Sequence, residues 1–134
     1  MKIYSFIKSE GEKISDFNSN FSLSKILKTK EMAQIGCFYL EENGVIGAHK
    51  ASVPQILLVV SGEGFVHSST TKRVPVETGD AVFWNKGEEH ETFTKTGMTA
   101  IVIESPTIEP DDYMSLKEIY NSKLTNFFII LPCI

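Results

Sequence analysis

Asn43-Gly44-Val45-Ile46-Gly47-Ala48-His49-Lys50-Ala51, running through Val53-Pro54-Gln55 into Ile56-Leu57-Leu58-Val59-Val60, decides the fold together with Gly79-Asp80-Ala81-Val82-Phe83-Trp84-Asn85-Lys86-Gly87-Glu88-Glu89-His90. Two histidines and a glutamine punctuate an apolar, glycine-broken β pattern. Five consecutive aliphatics from Ile56 to Val60 read as a strand buried on both faces. Pro54 has no N–H for a ladder and marks a bend or bulge just before that strand. With a period of two, His49, Ala51, Val53 and Gln55 share one face unless a bulge intervenes. Imidazoles and an amide at strand ends can then converge inside a closed barrel.

Working outward, short strands recur with turn signals every eight to twelve residues, the spacing of an all-β sandwich or barrel. Ile3 to Ile7 reads as an edge strand, and Phe21 to Ser24 alternates apolar and polar. Ala33 to Leu40 carries Cys37, read as a small buried hydrophobe, and ends at the hairpin signal Asn43-Gly44. Gln55 to Ser61 is expected to turn at Gly62-Glu63-Gly64 into Phe65 to His67. Val74 to Val76, Ala81 to Trp84, His90 to Thr94 and Thr99 to Ile103 follow. After residue 106 the character changes. Pro110-Asp111-Asp112 suits the first turn of a helix, and Tyr113, Leu116 and Tyr120 share one helical face. The tail Phe127 to Ile134 is apolar and needs a cover. The expected division is a barrel over residues 1–106, with a short C-terminal helix and tail over 107–134.

The chain has 134 residues and a formal charge of -4, enough for one domain with its own core. The acidic balance argues against nucleic acid, which wants a basic face. No apolar run approaches the roughly 20 residues of a membrane span, and Lys8 interrupts any signal-like start. Cys37 and Cys133 have no metal-type spacing. A cytoplasmic protein is expected.

The paired motifs resemble those of cupins. That family's first motif runs glycine, five residues, His-x-His, three or four residues, glutamate, six residues, glycine. His49 stands at the first histidine, Gln55 at the glutamate, Gly62 at the closing glycine and Asn43 at the opening one. In the second motif Gly79, Gly87 and His90 match, while Asn85 replaces a proline and Thr94 an asparagine. The resemblance implies an all-β, jelly-roll-like antiparallel barrel. In metal-binding cupins three histidines and a carboxylate hold a divalent ion. Here Ala51 replaces the second histidine and Gln55 the carboxylate, which leaves the neutral donors His49, Gln55 and His90. Such donors suit a weakly held divalent transition metal at best.

Three readings stay open. One is a binding module that holds a small molecule over His49, Gln55 and His90, with Trp84 stacking at the barrel mouth. The second is a metal-dependent enzyme of dioxygenase or isomerase type at the same residues. The third is a dimerisation scaffold. His67 reads as a surface residue, and Glu88 and Glu89 as a solvated loop, with the sharper option that a carboxylate orients His90. A homodimer is expected from the apolar tail and the Ile3–Ile7 edge.

Overall fold

One long strand closes this barrel. The structure, a computed structural model, describes residues 1–120. Its strands are β1 (Lys2–Ser5), β2 (Glu12–Ile14), β3 (Phe21–Leu23), β4 (Gln34–Leu40), β5 (Val45–Lys50), β6 (Gln55–Ser68), β7 (Val74–Glu77), β8 (Asp80–Trp84), β9 (Glu89–Phe93), β10 (Met98–Glu104) and β11 (Ser115–Ile119). The first half of β6 lies between β8 and β10, the second between β7 and β9. One wall is therefore β11-β1-β8-β6-β10-β4 and the other β7-β6-β9-β5, with every pairing antiparallel. β2 and β3 form a separate hairpin.

The expected turn at Gly62 to Gly64 is a bend within continuous β6. Gly62 has φ 79, and a Cβ there would lie 2.3 Å from the Gly97 carbonyl oxygen. The sheet passes from one wall to the other at a point where no side chain fits. The strand runs on through the bend, with one register shift against β10 at Val60, so a turn signal stands where the strand does not end.

Four of the five aliphatics are divided between two cores, and Val60 is exposed. Leu57 and Val59 join Ile3, Val66, Val82, Trp84, Ala100 and Val102 between the walls. Ile56 and Leu58 face the other way and pack with Tyr4, Ala81, Phe83, Ile108 and Met114, covered by Phe6, Ile26 and Leu27. The continuous apolar run is needed because this wall is buried on both faces.

Two expectations are corrected. β1 is no edge: it lies between β8 and β11. The helix expected from Pro110 is a single 3-10 turn, Pro110–Asp112, followed by strand β11. The helical spacing of Tyr113 and Leu116 is overridden because β1 would otherwise leave a row of unpaired backbone groups. Both side chains are substantially exposed, so no helical face is buried there. Lys117 ties β11 to the buried Asp80 through a 2.7 Å ion pair, which raises the lysine pKa. The Tyr4 hydroxyl donates to Asp111 at 2.6 Å and anchors the 3-10 turn; burial chiefly, then Asp111, pushes its pKa upward. The tail Phe127 to Ile134 lies outside the described residues. No helix among those described is long and apolar enough to cross a membrane.

Gly62 and Gly87 separate conformational strain from collision. Both have positive φ, but a Cβ on Gly87 meets nothing within 4 Å. Gly87→Ala should cost about 1–2 kcal/mol, and Gly62→Ala more than about 3, from chemical denaturation. Equal losses would show that the close approach at Gly97 does not govern the bend.

Candidate functional site

β5 and β9 bring the two site histidines together, because His49 lies directly opposite His90 in their register. That register shifts between Ile46 and His49, a bulge of the kind that re-aims a side chain. The His49 ring turns back so that Nδ1 lies 2.8 Å from the Gly47 carbonyl. The two ring centroids are 4.4 Å apart and tilted by 57°. Gln55 opens β6 and faces Trp84 of β8 on one side and Glu104 of β10 on the other.

His90 is only 2% exposed and is held from three directions. Its Nδ1 lies 3.2 Å from the Glu88 carbonyl, its Nε2 lies 3.0 Å from Gln55 Nε2, and Trp84 stacks on it at 4.2 Å. These partners assign the tautomer. A carbonyl only accepts, so Nδ1 carries the hydrogen; an amide nitrogen only donates, so Nε2 accepts. Burial lowers the His90 pKa, opposed by the Glu88 carbonyl and reinforced by His49. The ring is a neutral acceptor.

His49, Gln55 and His90 border one cavity of about 50 Å³, lined also by Phe38, Thr92 and Glu104. One or two waters, or one small polar group, fill such a space. Glu104 is the residue that the motif reading missed. It was legible: Met98, Ala100 and Val102 alternate inward along β10, and Glu104 is next in that series. A larger cleft of about 580 Å³ opens over Met1, Lys50, Ser68, Asn85 and Tyr120. None of the three candidate donors borders it.

Trp84 does not border the small cavity. It is fully buried behind His90, and its Nε1 is a buried donor without a partner among the described residues. It stacks on the His90 imidazole and does not open onto the cavity. Glu88 orients His90 through its backbone carbonyl, not its carboxylate. The carboxylate accepts from the Asn85 N–H at 2.8 Å and the Met1 ammonium at 2.7 Å. Ala51 is buried, bonded through its N–H to that same Glu88 carbonyl, and presents no donor atom. His67 pairs with Glu91 at 2.8 Å, away from the site. Two motif departures keep structural roles: Asn43 sits at φ 61, which asparagine tolerates, and the Thr94 hydroxyl donates to the Glu63 carbonyl at 2.6 Å.

The donor set fits a firmly held divalent ion poorly. The Gln55 amide N–H already occupies the His90 lone pair that a metal would need. Among the described residues no three His, Cys, Asp or Glu side chains come together to hold one. The trio itself is neutral, and of the residues lining the cavity Glu104 alone carries a charge that could offset that of an ion.

The lowered His90 pKa sets a pH dependence. Below the usual value of about 6.5 the unfolded chain binds this proton more readily than the folded one. The stability of the neutral ring is fully present above that value and is lost as pH falls toward the folded pKa. Thermal midpoints should fall from pH 7 to 5.5, and fall less in His90→Asn, which retains His49 and His67. Identical slopes would contradict a buried neutral imidazole.

A family model described as "Cupin domain" matches residues 37–105. The fold is similar to a cupin superfamily protein from Desulfitobacterium hafniense, with a TM-score of 0.52, 16% identity, and coverage of 61% of this chain and 74% of that one. An RmlC-like cupin from Shewanella frigidimarina gives 0.52, 21% identity, and 56% and 67% coverage. A conserved protein of unknown function from Streptococcus pyogenes gives 0.50, 16% identity, and 72% and 75% coverage. No curated protein matches the chain. The family match spans both histidine motifs and the strands that carry them, and the chain belongs to the cupin domain family.

Proposed function

We propose that this chain is a cytoplasmic binding cupin that holds a small polar molecule against His49, Gln55 and His90. The observation that carries the reading is the 3.0 Å contact between Gln55 and His90 on the wall of a small, partly apolar cavity. With its N–H spent on His90, the Gln55 amide has its carbonyl oxygen left to accept. His49 spends Nδ1 on Gly47, so its Nε2 accepts as well. Glu104 adds a carboxylate. Acceptors from three strands suit a ligand that presents N–H or O–H donors, such as a small amine or polyol.

The second reading is a weakly held divalent transition metal at His49, Gln55 and His90, with metal-dependent dioxygenase or isomerase activity. One feature favours it: both histidines give Nδ1 to a backbone carbonyl, the arrangement that presents Nε2 to an ion. The spent His90 lone pair and the neutral donors argue for the first reading.

A thermal-shift panel of small amines and polyols tests the binding reading, with Gln55→Leu and His49→Ala beside the wild type. A stabilising ligand should lose most of its effect in both variants. A shift preserved in both would place binding elsewhere. Gln55→Leu itself should cost about 1–3 kcal/mol, because it strips the buried His90 acceptor of its donor. Metal analysis of untagged protein separates the second reading. Wild type should lose any ion on dialysis, whereas Gln55→Glu, which supplies the missing negative charge, should retain more. An ion held tightly by the wild type would favour the metal-dependent reading.

A further inference from the structure

The cleft of about 580 Å³ lies where β1, β5, β6 and β8 begin or end, and it shares no lining residue with the His49–His90 cavity. Its chemistry is also different. Lys2, Lys50 and Lys86 border it, from β1, β5 and the loop before β9. Of the two carboxylates beside them, Glu88 is engaged by the Asn85 N–H and the Met1 ammonium. Glu89 lies opposite Lys50 in the β5–β9 ladder, yet among the described residues neither forms an ion pair, and nor does Lys86. Lys2 reaches only the exposed Asp111, at 3.7 Å. A chain of formal charge -4 thus gathers uncommitted cations around this cleft.

We infer that this cleft binds a small organic dianion, a phosphate monoester or a dicarboxylate that also carries an apolar group. Ammonium groups from separate elements suit one doubly charged head, because each can direct its N–H donors at an oxygen. Ser69 and Thr70, exposed at the hairpin tip after β6, add hydroxyl donors on the same wall. Gly87 keeps the loop open: a Cβ there would meet nothing within 4 Å, so a ligand can approach its backbone. Phe83 and Tyr120 bring aromatic rings to the lining, which suit the apolar part of the ligand. The volume falls in the range of small-molecule sites. A cationic ligand would meet like charge, and a neutral one would leave the lysines unused. Lys50 and Lys86 are exposed, so the attraction is screened by salt. The inference does not rest on what the His49–His90 cavity holds.

Calorimetric titration of the full chain with phenyl phosphate, phthalate, benzyl alcohol and benzylamine tests this. The two dianions should bind, more weakly as salt rises, and the alcohol and the amine should not. Binding of one dianion alone supports the proposal and names its head group. Lys50→Gln with Lys86→Gln should weaken dianion binding about tenfold or more, with circular dichroism unchanged because both side chains are exposed. Should that variant misfold, proton–nitrogen spectra of the wild type decide: phenyl phosphate should move the amide signals of Lys50, Ser69, Lys86 and Gly87. No binding of either dianion, or equal binding of benzyl alcohol or benzylamine, would overturn the proposal. So would a folded lysine variant that binds at full strength, or amide shifts confined to other residues.

Discussion

The candidate site depends on keeping one imidazole neutral and immobile inside the barrel. His90 has almost no contact with water, and desolvation disfavours the ionised ring. Three neighbours make the neutral ring the favoured state. The Glu88 carbonyl takes the Nδ1 hydrogen, the Gln55 amide fills the Nε2 lone pair, and Trp84 covers one ring face. Each comes from a different part of the chain, so the imidazole fixes how β6, β8 and the loop before β9 meet.

That arrangement changes what the cupin scaffold offers. With a glutamate at position 55, His90 would face a negative charge suited to a cation. With Gln55, the same atoms form a closed neutral hydrogen bond, and the acceptors left over look toward the cavity. Glutamine in place of glutamate preserves shape and removes charge, which disfavours a cation beside His90. Trp84 and Glu88 act indirectly, through the ring they position.

Much of this was legible from sequence because it rests on short-range rules. The spacing of Asn43, His49, Gln55 and Gly62, and of Gly79, Gly87 and His90, specified two histidine strands and the barrel that joins them. The aliphatics of β6 indicated burial on both faces, which holds for Ile56 to Val59 and fails at the exposed Val60. What sequence concealed was tertiary. Gly62 reads as a turn because its positive φ is also what a bend inside a strand needs. The segment after Pro110 has helical spacing, yet β1 needed a neighbour and took Ser115–Ile119 as a strand. Glu104 lay within the period-two series of β10, but its place opposite Gln55 is a pairing across a ladder that motif spacing does not show. Cys37 reads as buried because its strand is apolar, and only the sheet order shows that strand to be an edge.

The most direct test is the protonation state of His90. Long-range proton–nitrogen NMR correlations on uniformly labelled protein at pH 7 report the tautomer of each of the three histidines. His90 should appear as a single neutral tautomer with its hydrogen on Nδ1 and a hydrogen-bonded Nε2, unchanged by chelator. A protonated His90, or an Nε2 signal that shifts to a free-base value on chelation, would contradict the neutral Gln55–His90 pair as the centre of this site.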